Sequence, residues 1–345
     1  MTGLGAAQRL DRGPDGLLRF ELSRDLAPAI DLLEIGFGDD LEARDRRWLK
    51  DLAALSSAGP LMSLLLHAIP GAIEGLGGFV CYDNGRLIGN ASLLRAGLDT
   101  WVIANVVTHP NYRRQGIAGR LMHSALETAR TRGARRIQLQ VRDTNDAAKK
   151  LYVDLGFRTV GATTLLRLPS GIDGIGPDIR AAAASAAAED FSATPDLRVV
   201  PWRRSAEGRA TRLLVRAGEA VRASPPSIVR QTARRGALKG RVDDWLHSRT
   251  RHRLAVVAQG DHRALGVVDA YSYGGPHRID IVVDPSWRGH VERALVAACI
   301  ERLADAPPQD VEADAPGRDG PLSAVLEAVG FVPVRTLERL ELWLG

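Results

Sequence analysis

The 345-residue chain has few of the residues that build covalent or metal-held frameworks. Its two cysteines, Cys81 and Cys299, are far apart in the sequence, and each lies within an apolar segment. This excludes a disulfide framework and a cysteine-based metal cluster, so we expect a reducing cytoplasm and no metal. The longest apolar run, LMSLLLHAIPGAI, contains a histidine and a proline and is too short to span a bilayer, which predicts no membrane association.

Aromatic side chains and net charge are also low. Aromatic residues make up 5% of the chain, so the cores should consist mainly of leucine, valine, isoleucine and alanine. A formal net charge of +5 is compatible with a phosphorylated ligand but gives no argument for nucleic acid. A group of arginines lies around a predicted helix end, where cations are favoured, and no aromatic residues interleave with them. We therefore predict no nucleic-acid partner.

The length and an internal repeat predict two domains. The segments LRVVPW, LAVVAQGDHRALGVVDAYSY and RIDIVVDPSWRGHVERAL repeat, in order, a strand, a hairpin and a strand–turn–helix of the first half. We expect a flexible N-terminus at 1–16, a first domain at 17–168, a linker with one or two helical turns at 169–196, and a second domain at 197–345. Each domain is predicted to be of the α+β class, a mostly antiparallel sheet flanked by helices.

Local signals define several elements of the first domain. Two apolar runs flank Asn84-Gly85, a pair that favours a type I′ hairpin turn. Residues 116–132 have helical periodicity and Gly133 ends them, while Gly156 closes a short helix over DAAKKLYVDLG. Two final short strands are expected between this helix and Leu168.

The segment VVTHPNYRRQGIAGRL, residues 106–121, leads from a strand through a glycine-containing turn directly into a helix. The first N–H groups of a helix have no internal partners, and the helix dipole adds positive charge there. Small residues let an anion approach these amides closely, and two arginines add charge. The alternative is a surface helix that happens to begin with glycines and arginines. The motif is neither a P-loop nor a dinucleotide fingerprint.

The pattern Arg113-x-x-Gly116-x-Ala118, between the strand NVVTHP and the helix NDAAKKLYVDLGF, resembles the acetyl-CoA signature of the GNAT (Gcn5-related N-acetyltransferase) superfamily. The resemblance covers roughly residues 18–168 and includes the order of strands and helices. It implies that the fourth and fifth strands splay apart to admit the pantetheine arm of acetyl-CoA.

In this superfamily the loop amides hold the pyrophosphate of CoA, and the preceding strand pairs with the pantetheine arm. The matching positions here are Val106, Val107, Thr108, Arg113, Arg114, Gln115, Gly116, Ile117, Ala118 and Gly119. Similarity to the branch that acetylates ribosomal-protein N-termini adds Asn145 as a contact to the arm and Tyr152 as the acid that protonates the CoA thiolate. Core packing is the alternative role for Tyr152, which shares a helix face with Ala148 and Leu155.

The sequence departs from that branch where a base is expected. Gln140 stands in place of a glutamate on the fifth strand and cannot accept a proton from the amine. Either the base lies elsewhere, or a chain of water molecules serves, or the amine arrives neutral. Glu34, Asp39 and Asp40 lie in the segment that usually shapes the acceptor pocket, and each is a candidate to hold a cationic amine or, alternatively, part of a solvated helix end.

In the second copy the loop is altered. Val291 stands where Gly116 does, and a β-branched side chain there would block a phosphate from the amides. Leu326 takes the place of Tyr152. We expect a degenerate GNAT unit that no longer binds CoA. Its role would be to pack on the first unit, to shape the acceptor cleft or to form a homodimer.

The sequence therefore predicts a tandem GNAT protein whose N-terminal unit transfers an acetyl group from acetyl-CoA to a primary amine by direct attack. A main-chain N–H near Val107 would polarise the thioester carbonyl. Two alternatives stay open. One is a non-catalytic acyl-CoA-binding sensor or interaction module, which Gln140 favours and Tyr152 disfavours, and the other is an acyltransferase for longer acyl chains.

Overall fold

The computed structural model describes residues 16–38, 77–171, 174–194, 196–201, 251–258, 264–271, 275–317 and 320–344. The strands are β1 (Leu17–Arg19), β2 (Gly78–Asp83), β3 (Arg86–Arg95), β4 (Thr100–Thr108), β5 (Arg136–Arg142), β6 (Arg158–Leu168), β7 (Leu197–Pro201), β8 (Arg251–Ala258), β9 (Ala264–Tyr271), β10 (His277–Val283), β11 (Val311–Pro316) and β12 (Val332–Trp343). The helices are α1 (Leu22–Phe37), α2 (Ile117–Thr131), α3 (Asp146–Asp154), α4 (Pro177–Ala193), α5 (Glu292–Leu303) and α6 (Pro321–Ala328). No helix of this described part is long and apolar enough to cross a membrane.

The chain forms two compact units that differ from the expected linear division. Unit 1 comprises Met1–Gln140, Asp146–Arg158 and Leu340–Gly345, and unit 2 comprises Val141–Asn145 and Thr159–Arg339. Most of β6 thus belongs to unit 2, although it was expected to close the first domain. Conversely, the end of β12 belongs to unit 1, although it was expected to close the second.

Unit 1 contains a sheet with a helix on each face. Strands β1, β2, β3 and β4 pair antiparallel in that order, and β4 pairs parallel with β5. Val107 of β4 packs with Leu32 and Leu33 of α1. On the neighbouring strand a Cβ added to Gly89 would meet Ile117 of α2. Gly89 pairs with Thr108, the residue after Val107, and successive residues of a strand face opposite sides of the sheet. Helices α1 and α2 therefore cover opposite faces.

The hairpin and the two helix ends of unit 1 form as predicted. Asn84 and Gly85 have φ values of 47° and 80°, both positive as a type I′ turn requires. Helix α2 is followed by Gly133 with φ 78°, and α3 by Gly156 with φ 89°. These residues end the helices because glycine adopts the left-handed conformation without the steric cost of a side chain.

The expectation of two short strands before Leu168 was wrong. The structure has one continuous strand, β6, of 11 residues. Gly161 lies inside it, and a Cβ there would approach the Arg339 Nη2 atom to 2.6 Å. This glycine therefore makes room for a neighbouring arginine and does not form a turn.

Unit 2 repeats the architecture of unit 1. Its strand order is β12, β6, β11, β10, β9, β8, β7, and β10 and β11 are the parallel pair. Helices α5 and α6 contribute to a large apolar core that includes Leu295, Ile300 and Leu326. In both units the strand before the parallel crossover is followed by a short 3-10 turn, Pro110–Tyr112 in unit 1 and Pro285–Trp287 in unit 2.

The segment expected to be a linker contains a packed helix of 17 residues, α4. Its Ala183 and Ala187 are buried, and the buried Asp190 carboxylate accepts hydrogen bonds from the Ala294 N–H at 3.1 Å and from Arg293 Nη1 at 3.1 Å. The Ala294 amide lies in the first turn of α5, whose N-cap residue Val291 provides no side-chain cap. Asp190 therefore caps α5 from another helix.

We expect Asp190→Ala to lower the free energy of unfolding by about 2 kcal/mol, because it removes a helix cap and leaves Arg293 without its buried partner. The midpoint and slope of a urea transition followed by circular dichroism measure the loss. Glu189→Ala is the matched control, since its side chain is 69% exposed and lies 3.3 Å from the same arginine. A surface ion pair of this kind contributes under about 1 kcal/mol. Equal losses in both variants would contradict the capping role.

Candidate functional site

A bulge interrupts β4 next to its end. Ser92 pairs with Ala104 and Asn90 with Val107, so Asn105 and Val106 stand opposite a single residue of β3. Asn105 has φ 54°, and the Asn90 Nδ2 group donates to its carbonyl oxygen at 2.9 Å. Asparagine tolerates the left-handed conformation better than most other side chains, so Asn105 suits this bulge. The sequence alone did not indicate the bulge.

Strands β4 and β5 pair over three residues and then separate. The paired residues are Thr100 with Arg136, Trp101 with Ile137, and Val102 with Gln138. Beyond Val102 the structure records no further pairing of β4 with β5 among the residues it describes. The predicted splay is thus present, and it leaves main-chain groups of β4 available to an extended ligand.

The loop before α2 exposes backbone at a helix N-terminus. Gly116 is the N-cap of α2 with φ 73°, and it has no side chain with which to cap the helix. A Cβ added to Gly116 would meet nothing within 4 Å, so the space in front of the helix is open. Arg113, Arg114 and Gln115 are exposed beside it. The first amides of α2 face no internal acceptor, and this combination suits an anion such as a pyrophosphate.

One buried polar atom lies at the end of β4. The Thr108 Oγ1 atom is buried and has no hydrogen-bond partner in the described structure. Buried hydroxyl groups are nearly always hydrogen-bonded, so an orphan at this position calls for an explanation. A ligand running along β4 toward the loop would provide the missing partner, which fits acetyl-CoA at this place.

Tyr152 lies on α3 in unit 1 and is 5% exposed. Its ring packs against Phe157 with a centroid distance of 6.1 Å. Burial raises the pKa of Tyr152 to about 12, so the phenol stays protonated at neutral pH. For its hydroxyl group, no hydrogen-bond partner is recorded within the described ranges. A protonated, unpaired hydroxyl is compatible with the predicted role as an acid, which stays a prediction.

The remaining predicted residues are distributed as follows. Gln140 is exposed on β5, and Glu34 is half-buried near the end of α1, where a Cβ on Gly36 would contact Val107. Asn145 belongs to the segment Val141–Asn145, which groups with unit 2, so its contact with the acetyl-CoA arm stays a prediction. Asp39 and Asp40 lie outside the described residues.

The corresponding loop of unit 2 is filled by carboxylates. The Glu292 Oε2 atom accepts from the Gly289 N–H at 2.8 Å and from the Val291 N–H at 3.3 Å, and Asp190 accepts from the Ala294 N–H in the first turn of α5. Both carboxylates are at most 3% exposed. The amides that could receive a phosphate are therefore already paired with acidic side chains. The sequence indicated the loss through Val291 but did not reveal these two carboxylates.

Strands β10 and β11 nevertheless separate in the same way as β4 and β5. They pair at His277 with Val311, Arg278 with Glu312, and Ile279 with Ala313. Unit 2 thus keeps the splayed strands and has lost the open loop. Among the described residues of both units, no cluster of three or more metal-ligating side chains is found.

The sequence matches a known family in this region. Residues 56–157 match the profile of the Acetyltransferase (GNAT) family, a range that contains β4, the loop, α2 and Tyr152. GNAT enzymes use acetyl-CoA.

Curated relatives are similar over part of their length. The chain is 35% identical over 81 residues to an uncharacterized N-acetyltransferase of Mycobacterium tuberculosis, which is 24% of this chain and 52% of the relative. It is 33% identical over 79 residues to the ribosomal protein bS18-alanine N-acetyltransferase of Escherichia coli, or 23% of this chain and 53% of that protein. The chain thus spans about half the length of the curated relatives it matches.

Solved structures are similar over nearly the whole chain. A tandem GNAT protein from the clavulanic acid biosynthesis pathway aligns with a TM-score of 0.56 and 17% identity, covering 95% of this chain and 98% of that one. A GCN5-related N-acetyltransferase from Sphaerobacter thermophilus aligns with a TM-score of 0.61 and 14% identity, covering 96% of each chain. At these identities the similarity concerns the fold alone.

The fold is that of tandem acetyltransferases with splayed parallel strands, and the family profile matches the same loop. Residues 56–157 of this chain thus match the GNAT family profile, and the fold of the chain is similar to that of a tandem GNAT protein.

We expect Gly116→Val to abolish acetyl-CoA binding while the protein stays folded. The side chain would occupy the open space before the first amides of α2, and the left-handed backbone would add about 1 kcal/mol of strain. Isothermal titration calorimetry with acetyl-CoA measures the affinity. Gly133→Val is the matched control, because Gly133 has φ 78°, also meets nothing within 4 Å, and lies at the other end of α2. Unchanged affinity in Gly116→Val would exclude this loop as the acetyl-CoA site.

Proposed function

We propose that the protein is an N-acetyltransferase whose unit 1 transfers an acetyl group from acetyl-CoA to a primary amine within a ternary complex. The observation that carries this proposal is Gly116, which leaves open space at the start of α2 and provides no side-chain cap for its first amides, together with the separation of β4 from β5 beyond Val102. The buried, unpartnered Thr108 hydroxyl supports the same ligand path.

The proposed roles of the site residues follow from their positions in the sequence. The amides from Arg114 to Gly119 bind the pyrophosphate, with the exposed Arg113 and Arg114 adding positive charge. The main chain of Val106, Val107 and Thr108 pairs with the pantetheine arm as an added strand would. A main-chain N–H after the bulge, around Val107, polarises the thioester carbonyl. Asn145 is proposed as a further contact to the arm.

Tyr152 is proposed as the acid. Its raised pKa keeps the proton on the phenol oxygen at every physiological pH, so the proton is available when the CoA sulfur departs. Burial against Phe157 restricts the ring to one position, which holds the hydroxyl group in place.

The acceptor is proposed only as a primary amine. The curated relatives include the bS18-alanine N-acetyltransferase of Escherichia coli and N-alpha-acetyltransferase 30 of Schizosaccharomyces pombe, which makes peptide N-termini a reasonable first class to test. Gln140, in place of the expected glutamate, argues that the chain does not simply repeat their mechanism. Glu34 at the end of α1 is a candidate to bind a cationic amine.

A second candidate function is a non-catalytic acyl-CoA sensor. The exposed Gln140 and the carboxylate-filled loop of unit 2 favour it, since both remove groups that an enzyme would use. The neutral, buried Tyr152 favours the enzyme.

The deciding experiment measures thiol release from acetyl-CoA against peptide N-termini, lysine, polyamines, amino acids and aminoglycosides, beside acetyl-CoA binding by calorimetry. Release with one class supports the transferase and identifies its acceptor. Binding without release from any amine supports the sensor. The absence of binding would exclude both functions.

We expect Tyr152→Phe to lower kcat by about 100-fold and to leave the acetyl-CoA dissociation constant within twofold, because the phenol oxygen donates its proton only as the thiolate departs. Steady-state kinetics and calorimetry provide the two quantities. Tyr82→Phe is the matched control, since Tyr82 also has a pKa raised to about 12 but donates its hydroxyl to Asp25 at 2.8 Å. An unchanged kcat in Tyr152→Phe would assign that residue to core packing.

A further inference from the structure

A buried carboxylate lies next to the point where β4 and β5 separate. The last β4–β5 pair is Val102 with Gln138. The Gln138 Nε2 group donates to the Glu341 Oε1 atom at 2.7 Å. Gln138 and Glu341 are 7% and 2% exposed, and Glu341 comes from the end of β12, within unit 1. The last strand of the chain thus brings a carboxylate to the closed end of the cleft.

The charge of Glu341 is only weakly compensated. Arg136 is the charged residue of β5 that faces it, and the Nη1 atom lies 3.8 Å from the same Oε1 atom, too far for a hydrogen bond. The Arg136 Nε and Nη2 groups instead donate to Thr100 Oγ1 at 3.3 and 3.2 Å, and the guanidinium lies 5.5 Å from the Trp343 ring centroid. Glu341 Oε2 has no hydrogen-bond partner among the described residues.

Burying a carboxylate with so few partners lowers the stability of the fold, so this arrangement is not explained by a structural role alone. A buried carboxylate normally accepts several hydrogen bonds or forms a close ion pair. Within the described part of the chain, Glu341 has one amide donor and one distant guanidinium. On its own strand the nearest preceding basic residue is Arg339, two positions earlier. The second carboxylate oxygen is available to a cationic or proton-donating ligand.

The position also suits the reaction. Arg136, Gln138 and Gln140 lie on one face of β5, while Ile137 and Leu139 face the core on the other. Gln140 holds the place where a base is expected, and two residues of strand rise put Gln138 about 7 Å from it. Each hydrogen bond of a water chain spans about 2.8 Å, so two water molecules can carry a proton over such a separation, and a base there need not contact the amine directly.

We propose that Glu341 accepts the proton of the acceptor amine, through bridging water molecules, in place of the carboxylate that Gln140 lacks. This proposal rests on the transferase function proposed above. An ammonium group gives one proton to Glu341, and the freed lone pair forms the C–N bond as the C–S bond breaks. The CoA sulfur takes the Tyr152 proton, Tyr152 regains a proton from the new amide nitrogen, and Glu341 releases its proton to solvent.

The test is Glu341→Gln, which keeps the size of the side chain and removes the negative charge. With the most active amine of the panel, we expect kcat/KM at pH 7 to fall by about 100-fold. The deficit should narrow as pH rises toward the pKa of the amine, because free amine then forms without a base. The acetyl-CoA dissociation constant should stay within twofold. A merely structural residue would instead lower activity by the same factor at every pH.

Two further Glu→Gln variants serve as comparisons. Glu127→Gln makes the same charge change on the exposed face of α2 and should leave both rate and pH profile unchanged. Glu34→Gln tests the other carboxylate proposed near the acceptor. If Glu34→Gln gives the pH-dependent deficit and Glu341→Gln does not, the proposal is overturned.

Three other outcomes would overturn it: an unchanged rate in Glu341→Gln, a pH-independent loss, or a wild-type protein that binds acetyl-CoA and acetylates no amine. The last result concerns the wild-type protein and therefore rejects the transferase function itself, whereas the first two reject only the role of Glu341 as the base. Should Glu341→Gln unfold, Glu341→Asp keeps the charge on a shorter chain and must lower kcat while preserving the wild-type pH profile. An unchanged kcat in Glu341→Asp would reject the proposal.

Discussion

The N–H groups at the start of a helix need acceptors, and the two halves of this chain meet that need in different ways. In unit 1 the left-handed Gly116 leaves the first amides of α2 facing open space. In unit 2 the Glu292 and Asp190 carboxylates accept from the amides around the start of α5. The same fold element thus faces open space in one half and is paired with acidic side chains in the other.

The splay of the parallel strands is independent of this difference. In both units the pair before and after the crossover helix remains together for three residues only. The cleft is therefore a property of the shared architecture, and unit 2 has kept it although its loop amides are paired. What distinguishes the two halves is a helix N-terminus, where unit 1 has the left-handed Gly116 and unit 2 has Val291 with φ −134° and the two acidic side chains.

Structural features that depend only on residues adjacent in the sequence could be predicted from the sequence. The Asn84-Gly85 turn and the helix ends at Gly133 and Gly156 follow from the left-handed conformations that these residues adopt easily. Helix α4 was underestimated because its alanine-rich segment has little amphipathic pattern, and it is held by packing against α5 and by Asp190. Two short strands were expected where the single strand β6 runs, and the glycine inside it, Gly161, makes room for Arg339.

The sequence by itself determined which residues are candidates for the site, namely the loop from Arg113 to Gly119, Tyr152 and Gln140, since each lies within a continuous motif. Tertiary structure alone decided which carboxylates stand beside these motifs. Glu341 hydrogen-bonds to Gln138 across 203 positions, and Asp190 caps a helix 104 positions away. Strand pairing and helix packing bring such residues together, and no local pattern of residue types encodes those distances.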